Sequence, residues 1–173
     1  LPIEAAMMAL NIAPGSNRIF DAEKWDIVPE EDWKRERMAL EEAAHYDREV
    51  RILASDIDPE MIQIAKDNAM EVGLLDNIHF ETRDIHDLEL EEHHVQIVTN
   101  PPYGERIGEA KAVEEMYRKI GEMMAKDPTL SVYLMTSNKM FEHIVGKKAT
   151  KRRKLFNGYI ETTYFQYWGK RGE

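Results

Sequence analysis

Three chemically capable positions stand directly behind apolar runs of the sequence. Asp56 follows VRILAS (residues 50–55), Asp84 follows IHFETR (residues 78–83), and Asn100-Pro101-Pro102-Tyr103 follows HVQIVT (residues 94–99). Each run has the length and composition of a strand. In open α/β sheets ligands bind outside the carboxyl ends of the strands, so these residues converge on one expected rim. A carboxylate only accepts hydrogen bonds, and Asp56 before a capped helix suits the two hydroxyls of a ribose. Asp84, one strand over, suits the exocyclic amine of an adenine ring, with Ile57 and Ile85 as apolar walls.

The Asn-Pro-Pro-Tyr segment is the more specific feature. Two prolines remove two backbone donors and set φ near −65°, which excludes them from a central strand. The residue before proline is pushed to extended geometry, so Asn100 reads as the end of the strand. An exocyclic amine on a nucleobase is a poor nucleophile because its lone pair is delocalised into the ring. Two fixed acceptors that take its hydrogens turn that lone pair outward. The Asn100 carboxamide oxygen and the Pro101 carbonyl offer such a pair. Tyr103 can stack on the base, a contact worth about 1–3 kcal/mol. Pro102 stiffens the loop, and Gly104 permits close approach of the backbone. An ordinary proline turn is the bland alternative, and the acids upstream weigh against it.

Other patterns carry less. Asp58 reads as a helix cap. Asp56, Asp58 and Glu60 have the spacing of a calcium loop but lack its mid-loop glycine. His93-His94 would point to opposite faces of a strand, so no metal site is expected. Residues 104–108 (GERIG) precede a helix with the wrong spacing for a dinucleotide loop.

The elements that must position these residues alternate. A helix is expected over the first ten or so residues, ending before Ala13-Pro14-Gly15, and another from Pro29 through about Glu49. Trp25 and Trp33 are expected to pack its start. A strand over 50–55 leads into a helix with Pro59 at its first position and Gly73 at its end. Met61, Ile64, Ala65 and Val72 recur at helical spacing and are expected to face a sheet. Strands at 78–84 and 94–99 follow. A helix over 111–126 has Val113, Met116, Tyr117, Ile120 and Met124 on one face. A strand over 130–137, a short helix at 139–146 and a closing hairpin with Asn157-Gly158 at its turn complete the order. This order predicts an α/β layered domain with a mostly parallel sheet and one antiparallel strand at or near an edge.

The 173 residues suffice for one domain, and 43% hydrophobic with 32% charged residues suits a soluble globular chain. No apolar run approaches the ~18 residues of a membrane span, and the start LPIEAAMMAL lacks the basic flank of a signal peptide. The absence of cysteine excludes thiolate metal sites and agrees with a reducing cytoplasm. A net charge of −10 opposes attraction of nucleic acid to the whole surface. The charge is uneven, however. Six of the eight residues 147–154 (KKATKRRK) are basic. Such a run is either a solvated edge or a phosphate contact, with Lys151, Arg152 and Arg153 as candidate holders.

With NPPY after an apolar strand, SDIDP upstream and IEAAMMALNIAPG before it, the chain resembles the S-adenosylmethionine-dependent amino-methyltransferases. More narrowly, it resembles the bacterial THUMP-associated methylases acting on guanine N2 of large-subunit (23S) ribosomal RNA, which are often labelled N6-adenine-specific DNA methylases. The likeness runs through the closing KRRKLFNGYIETTYFQYWG. It implies a Rossmann-like class I methyltransferase sheet and S-adenosylmethionine as cofactor. It implies Asp56 at the cofactor ribose, Asp84 at its adenine amine, and Asn100, Pro101 and Tyr103 at the target base. In the family a first strand and a glycine-rich DPxCGSGT loop precede the helix that starts here at LPIEAA. The chain therefore reads as a partial catalytic domain, without the THUMP region and with a gap in the sheet at the first strand. The same residues also fit an N6-adenine DNA methylase or a non-catalytic nucleic-acid-binding domain of this fold.

Overall fold

The computed structural model describes residues 1–102 and 109–171, and these fall into two compact units, Leu1–Asp84 and Ile85 onward. In the first unit, β1 (Leu53–Asp56) pairs in parallel with β2 (His79–Thr82), in register from Leu53↔His79 to Asp56↔Thr82. Helix α3 (Pro59–Glu71) connects them, and local chemistry sets both of its ends. Asp58 accepts the Glu60 amide at the N-cap, and Pro59 occupies the first turn. At the other end, Gly73 turns left-handed (φ +72°), and the Gly73 and Leu74 amides bond back to Met70 and Ala69. This is a Schellman closure, with Leu74 buried behind it. Helix α1 (Pro2–Ala9) closes in the same way through Asn11 at φ 55°, with the Ile12 amide bonded to the Met7 carbonyl.

Ala6, Leu10, Ile62, Ala69, Leu74, Ile78 and Phe80 form the core of this unit. The expected inward face of α3 is thereby shifted. Ile62 and Ala69 are buried and Ala65 partly so, whereas Met61, Ile64 and Val72 are exposed. Apolar residues occur on two adjacent stripes of α3, and the small Ala69 allows the close approach that Met61 and Ile64 would block.

Helix α2 spans Glu30–Ala43 and buries none of its residues. Pro29 is its N-cap rather than part of the first turn, and the helix stops short of Glu49. The chain leaves it where the His45 amide bonds to the Leu10 carbonyl at 2.7 Å and Asn11 Nδ2 bonds to the Ala43 carbonyl at 2.9 Å. Capping the carbonyl end of α1 competes with the last helical turn and wins. Trp33 is half-buried, but Trp25 is exposed and packs little. The segment before α2 is held by Arg37, which donates to the Ser16 and Arg18 carbonyls at 2.8 and 2.7 Å and pairs with Glu23.

The second unit carries a four-stranded sheet in the order β3-β4-β6-β5. β3 (Gln96–Thr99) is parallel to β4 (Ser131–Thr136), while β6 (Ile160–Tyr167) runs antiparallel to both β4 and β5 (Lys151–Asn157). One strand, β6, therefore opposes the other three and lies next to the edge strand β5. Helices α4 (Glu109–Lys126) and α5 (Phe141–Val145) cover one face of this sheet. Val113, Tyr117, Ile120 and Met124 are buried against Val132, Leu134, Phe165 and Tyr167, with Met116 partly buried, as the helical spacing predicts. Removing such a side chain from water contributes on the order of 1.5–3 kcal/mol. Two details escaped the sequence. At Gly121 a Cβ would lie 2.4 Å from the Val145 carbonyl oxygen, so α5 rests on bare backbone of α4. The last hairpin pair is Asn157↔Ile160, which makes Gly158-Tyr159 the two-residue turn in place of Asn157-Gly158. Gly158 at φ +60° supplies the left-handed first position that such a turn needs.

Candidate functional site

In the first unit the candidate residues sit where β1 and β2 end. Asp56 is the last residue of β1 and is exposed. Its Oδ1 accepts the Asp58 amide at 2.9 Å, and Asp58 Oδ1 in turn accepts the Glu60 amide at 2.8 Å. Two successive side-chain turns thus carry the backbone from strand into helix. The first of them fixes the Asp56 carboxylate and uses one of its roughly four lone-pair sites. Ile57 is 67% exposed, a large apolar side chain with no place in the core. Asp84 stands two residues past Thr82, the register partner of Asp56, and is half-buried. The Asp56 carbonyl is bonded to the Arg83 amide at 2.9 Å, which ties the two strand ends together. Arg83 itself pairs with Glu81 at 2.8 Å. Asp56, Ile57 and Asp84 are brought to one rim.

Carboxylate acceptors beside an exposed apolar side chain fit the hydroxyls of a ribose diol and the face of a flat ring. Two concavities lie elsewhere, one along α2 at Glu31, Arg35 and Met38 and one beside α1 at Met7 and Ile12. The charged groups of the first, Glu31, Lys34, Arg35 and Glu42, are solvated side chains on one helix, and the strand rim is the better candidate on chemistry.

In the second unit, Asn100 immediately follows β3 and is exposed. Pro101 is buried and Pro102 exposed, so the first proline anchors the segment at the end of β3. Tyr103 and Gly104 lie outside the described residues. Ile85 opens a short 3-10 turn (Ile85–Asp87), and its side chain packs partly against the core of this unit. Lys151, Arg152 and Arg153 are exposed on the edge strand β5. Arg152 pairs with Glu142 at 3.2 Å, and Lys154 pairs with Glu161 at 2.6 Å, which holds the Glu161 carboxyl below its ordinary range. Burial, and then the neighbouring Tyr133, push the Tyr164 hydroxyl upward, so the Tyr164 phenol stays neutral at physiological pH.

Sequence reasoning missed the Asp56–Asp58 hydrogen bond as a positioning device. Its signal was present in the Asp-Ile-Asp-Pro spacing, where each aspartate can take the amide two residues on.

A layered α/β chain whose parallel strands end in an acid, an acid and an Asn-Pro-Pro segment has the architecture of a Rossmann-like methyltransferase domain. The family model of the RMKL-like methyltransferase domain matches residues 1–166, and the chain belongs to that family. It is 51% identical over 170 residues to YpsC of Bacillus subtilis, which is named among RNA methyltransferases; the match covers 98% of this chain and 44% of YpsC. It is 37% identical over 179 residues to ribosomal RNA large subunit methyltransferase K/L of Psychromonas ingrahamii, covering 96% of this chain and 23% of that protein. The crystal structure of SMU.472 in complex with SAH superposes with a TM-score of 0.92 at 40% identity, over 99% of this chain and 45% of that one. The chain thus spans less than half of each of these relatives.

Proposed function

We propose that this domain transfers a methyl group from S-adenosylmethionine to an exocyclic base amine of RNA, with guanine N2 of 23S ribosomal RNA as the target. One placement carries the reading. Asp56, Asp84 and Asn100 each stand within two residues of the carboxyl end of a parallel strand. SAH, held by the SMU.472 structure, is what remains of S-adenosylmethionine once the methyl is given up. The cofactor supplies an electrophilic methyl on a sulfonium.

The rest of the work belongs to the chain. Asp56 accepts the ribose hydroxyls, with its carboxylate already oriented by the Asp58 amide. Ile57 covers the adenine ring, and Asp84, with Ile85 beside it, accepts the adenine amine. Asn100 and the Pro101 carbonyl accept the two hydrogens of the target amine, while Pro102, Tyr103 and Gly104 shape the base pocket. Asn100 orients and takes no proton, because a carboxamide cannot act as a base at this pH. Holding donor and acceptor in line contributes several kcal/mol of the barrier reduction. The base must leave its stack, which costs a few kcal/mol and least in loop RNA. The edge strand β5 offers its unpaired cations to the polymer.

Mass spectrometry of nucleosides from ribosomal RNA, after reaction with the whole protein that carries this domain, tests the proposal. N2-methylguanosine is expected. Methylation confined to N6 of adenine in DNA, or binding without turnover, overturns it.

A further inference from the structure

The register of β5 sorts the basic run into two sets. Arg152 and Lys154 lie opposite Phe165 and Thr163, on the sheet face that packs against α4 and α5, and each is paired with a carboxylate. Lys151 and Arg153 lie opposite Gln166 and Tyr164 on the other face. Among the described residues neither has a carboxylate within ion-pair reach. The strands carry no acid on that face at all, since the one acid of β6, Glu161, lies opposite Phe156 on the face with Lys154. In a chain with 33 acids against 23 lysines and arginines, a sheet face whose strands carry cations and no acid is the exception.

We infer that Lys151 and Arg153, and not Arg152 or Lys154, form a phosphate-binding face for the nucleic-acid strand whose base is presented at Asn100. The inference rests on the function proposed above and narrows it to two side chains.

The ladders give the direction. Val98, Tyr133, Gln166 and Lys151 form one row across the sheet. Met135, Tyr164 and Arg153 form the row two residues further on, the level that Asn100 occupies two residues past Val98. Three strand spacings, on the order of 14 Å, separate Asn100 from Arg153 along that row. A strand delivering its base at Asn100 therefore brings neighbouring phosphates to Arg153. The Tyr133 and Tyr164 rings stack beside this path, with centroids 6.4 Å apart. Rings next to cations suit a chain of bases and phosphates better than a lipid headgroup or an acidic helix. Keeping an edge strand from aggregating also favours lysine. That role explains charge on β5, but not why one face is neutralised by its own acids and the other is not.

The test uses the whole protein that carries this domain and an unstructured RNA oligonucleotide, with affinity measured by anisotropy across a salt series. The double variant Lys151→Gln/Arg153→Gln is expected to flatten the slope of log affinity against log salt by about 1.4, roughly 0.7 per lost phosphate contact on a single strand. Arg152→Gln/Lys154→Gln is expected to leave the slope unchanged and to lower the melting temperature instead. Equal slopes for the two pairs, or a loss confined to the second, overturns the inference. So does salt-labile binding to phosphatidylserine vesicles or self-association in place of RNA binding. Methyl transfer with an unchanged slope in the first pair sinks the face alone. A flattened slope in a protein that transfers no methyl group leaves the face standing and sinks the function.

Discussion

The Asp58 amide donates to Asp56 Oδ1 at 2.9 Å, so the residue that caps helix α3 also orients the acid at the end of β1. The two aspartates sit two positions apart and answer to different needs, which separates their variants. Asp56→Ala is expected to weaken S-adenosylmethionine binding about 10- to 100-fold, the range for hydrogen bonds to a charged group. Calorimetric titration checks it, and a change in transfer rate at saturating cofactor with no change in affinity contradicts it.

Asp58→Ala removes a helix cap. The expected cost is about 1 kcal/mol of stability, read from the urea midpoint, with a smaller loss of cofactor affinity than Asp56→Ala produces. A larger affinity loss than in the Asp56 variant places the ligand on Asp58.

Asn100→Ala leaves the strand and Pro101 in place and deletes the carboxamide proposed to accept from the target amine. Single-turnover transfer is expected to fall by about 100-fold or more, the scale on which removing one oriented polar group acts, while cofactor affinity stays nearly intact. Equal losses of binding and transfer contradict the assignment.

Gly121→Ala tests the contact between α4 and α5. The added methyl would meet the Val145 carbonyl oxygen at 2.4 Å, and backbone cannot yield cheaply. A loss of about 1–3 kcal/mol is expected, although alanine favours helix over glycine on propensity alone. A stabilised variant refutes the close approach.

Asp127 carries a pH dependence. Its Oδ1 accepts the Thr129 hydroxyl at 2.7 Å and the Thr129 amide at 2.8 Å, and His93 approaches at 3.2 Å. These contacts, led by the Thr129 hydroxyl, hold its carboxyl below the ordinary value of 3.8. A depressed folded-state value means the stabilisation is fully present above the unfolded value and is lost as pH falls through the folded one. The melting-temperature gap between the native protein and Asp127→Asn is expected to be constant near neutrality and to close in acid below the ordinary carboxylate range. A gap that widens in acid reverses the sign and rejects the cause.

Much of this protein is written in local chemistry. Asp-Pro starts α3, glycine at 73 stops it, and two prolines end β3, because capping, missing amides and restricted φ act within a few residues of chain. The acids and the amide at the strand ends were legible for the same reason. What the tertiary structure alone decided is phase. Apolar stripes on α3 permit two inward faces, and Ala69 in the core selects one. A basic run is unsigned until the pairing of β5 with β6 assigns Arg152 and Lys154 to one face and Lys151 and Arg153 to the other. A shift of one residue in that register would exchange the paired cations for the unpaired ones, and the hairpin turn at Gly158-Tyr159 sets it.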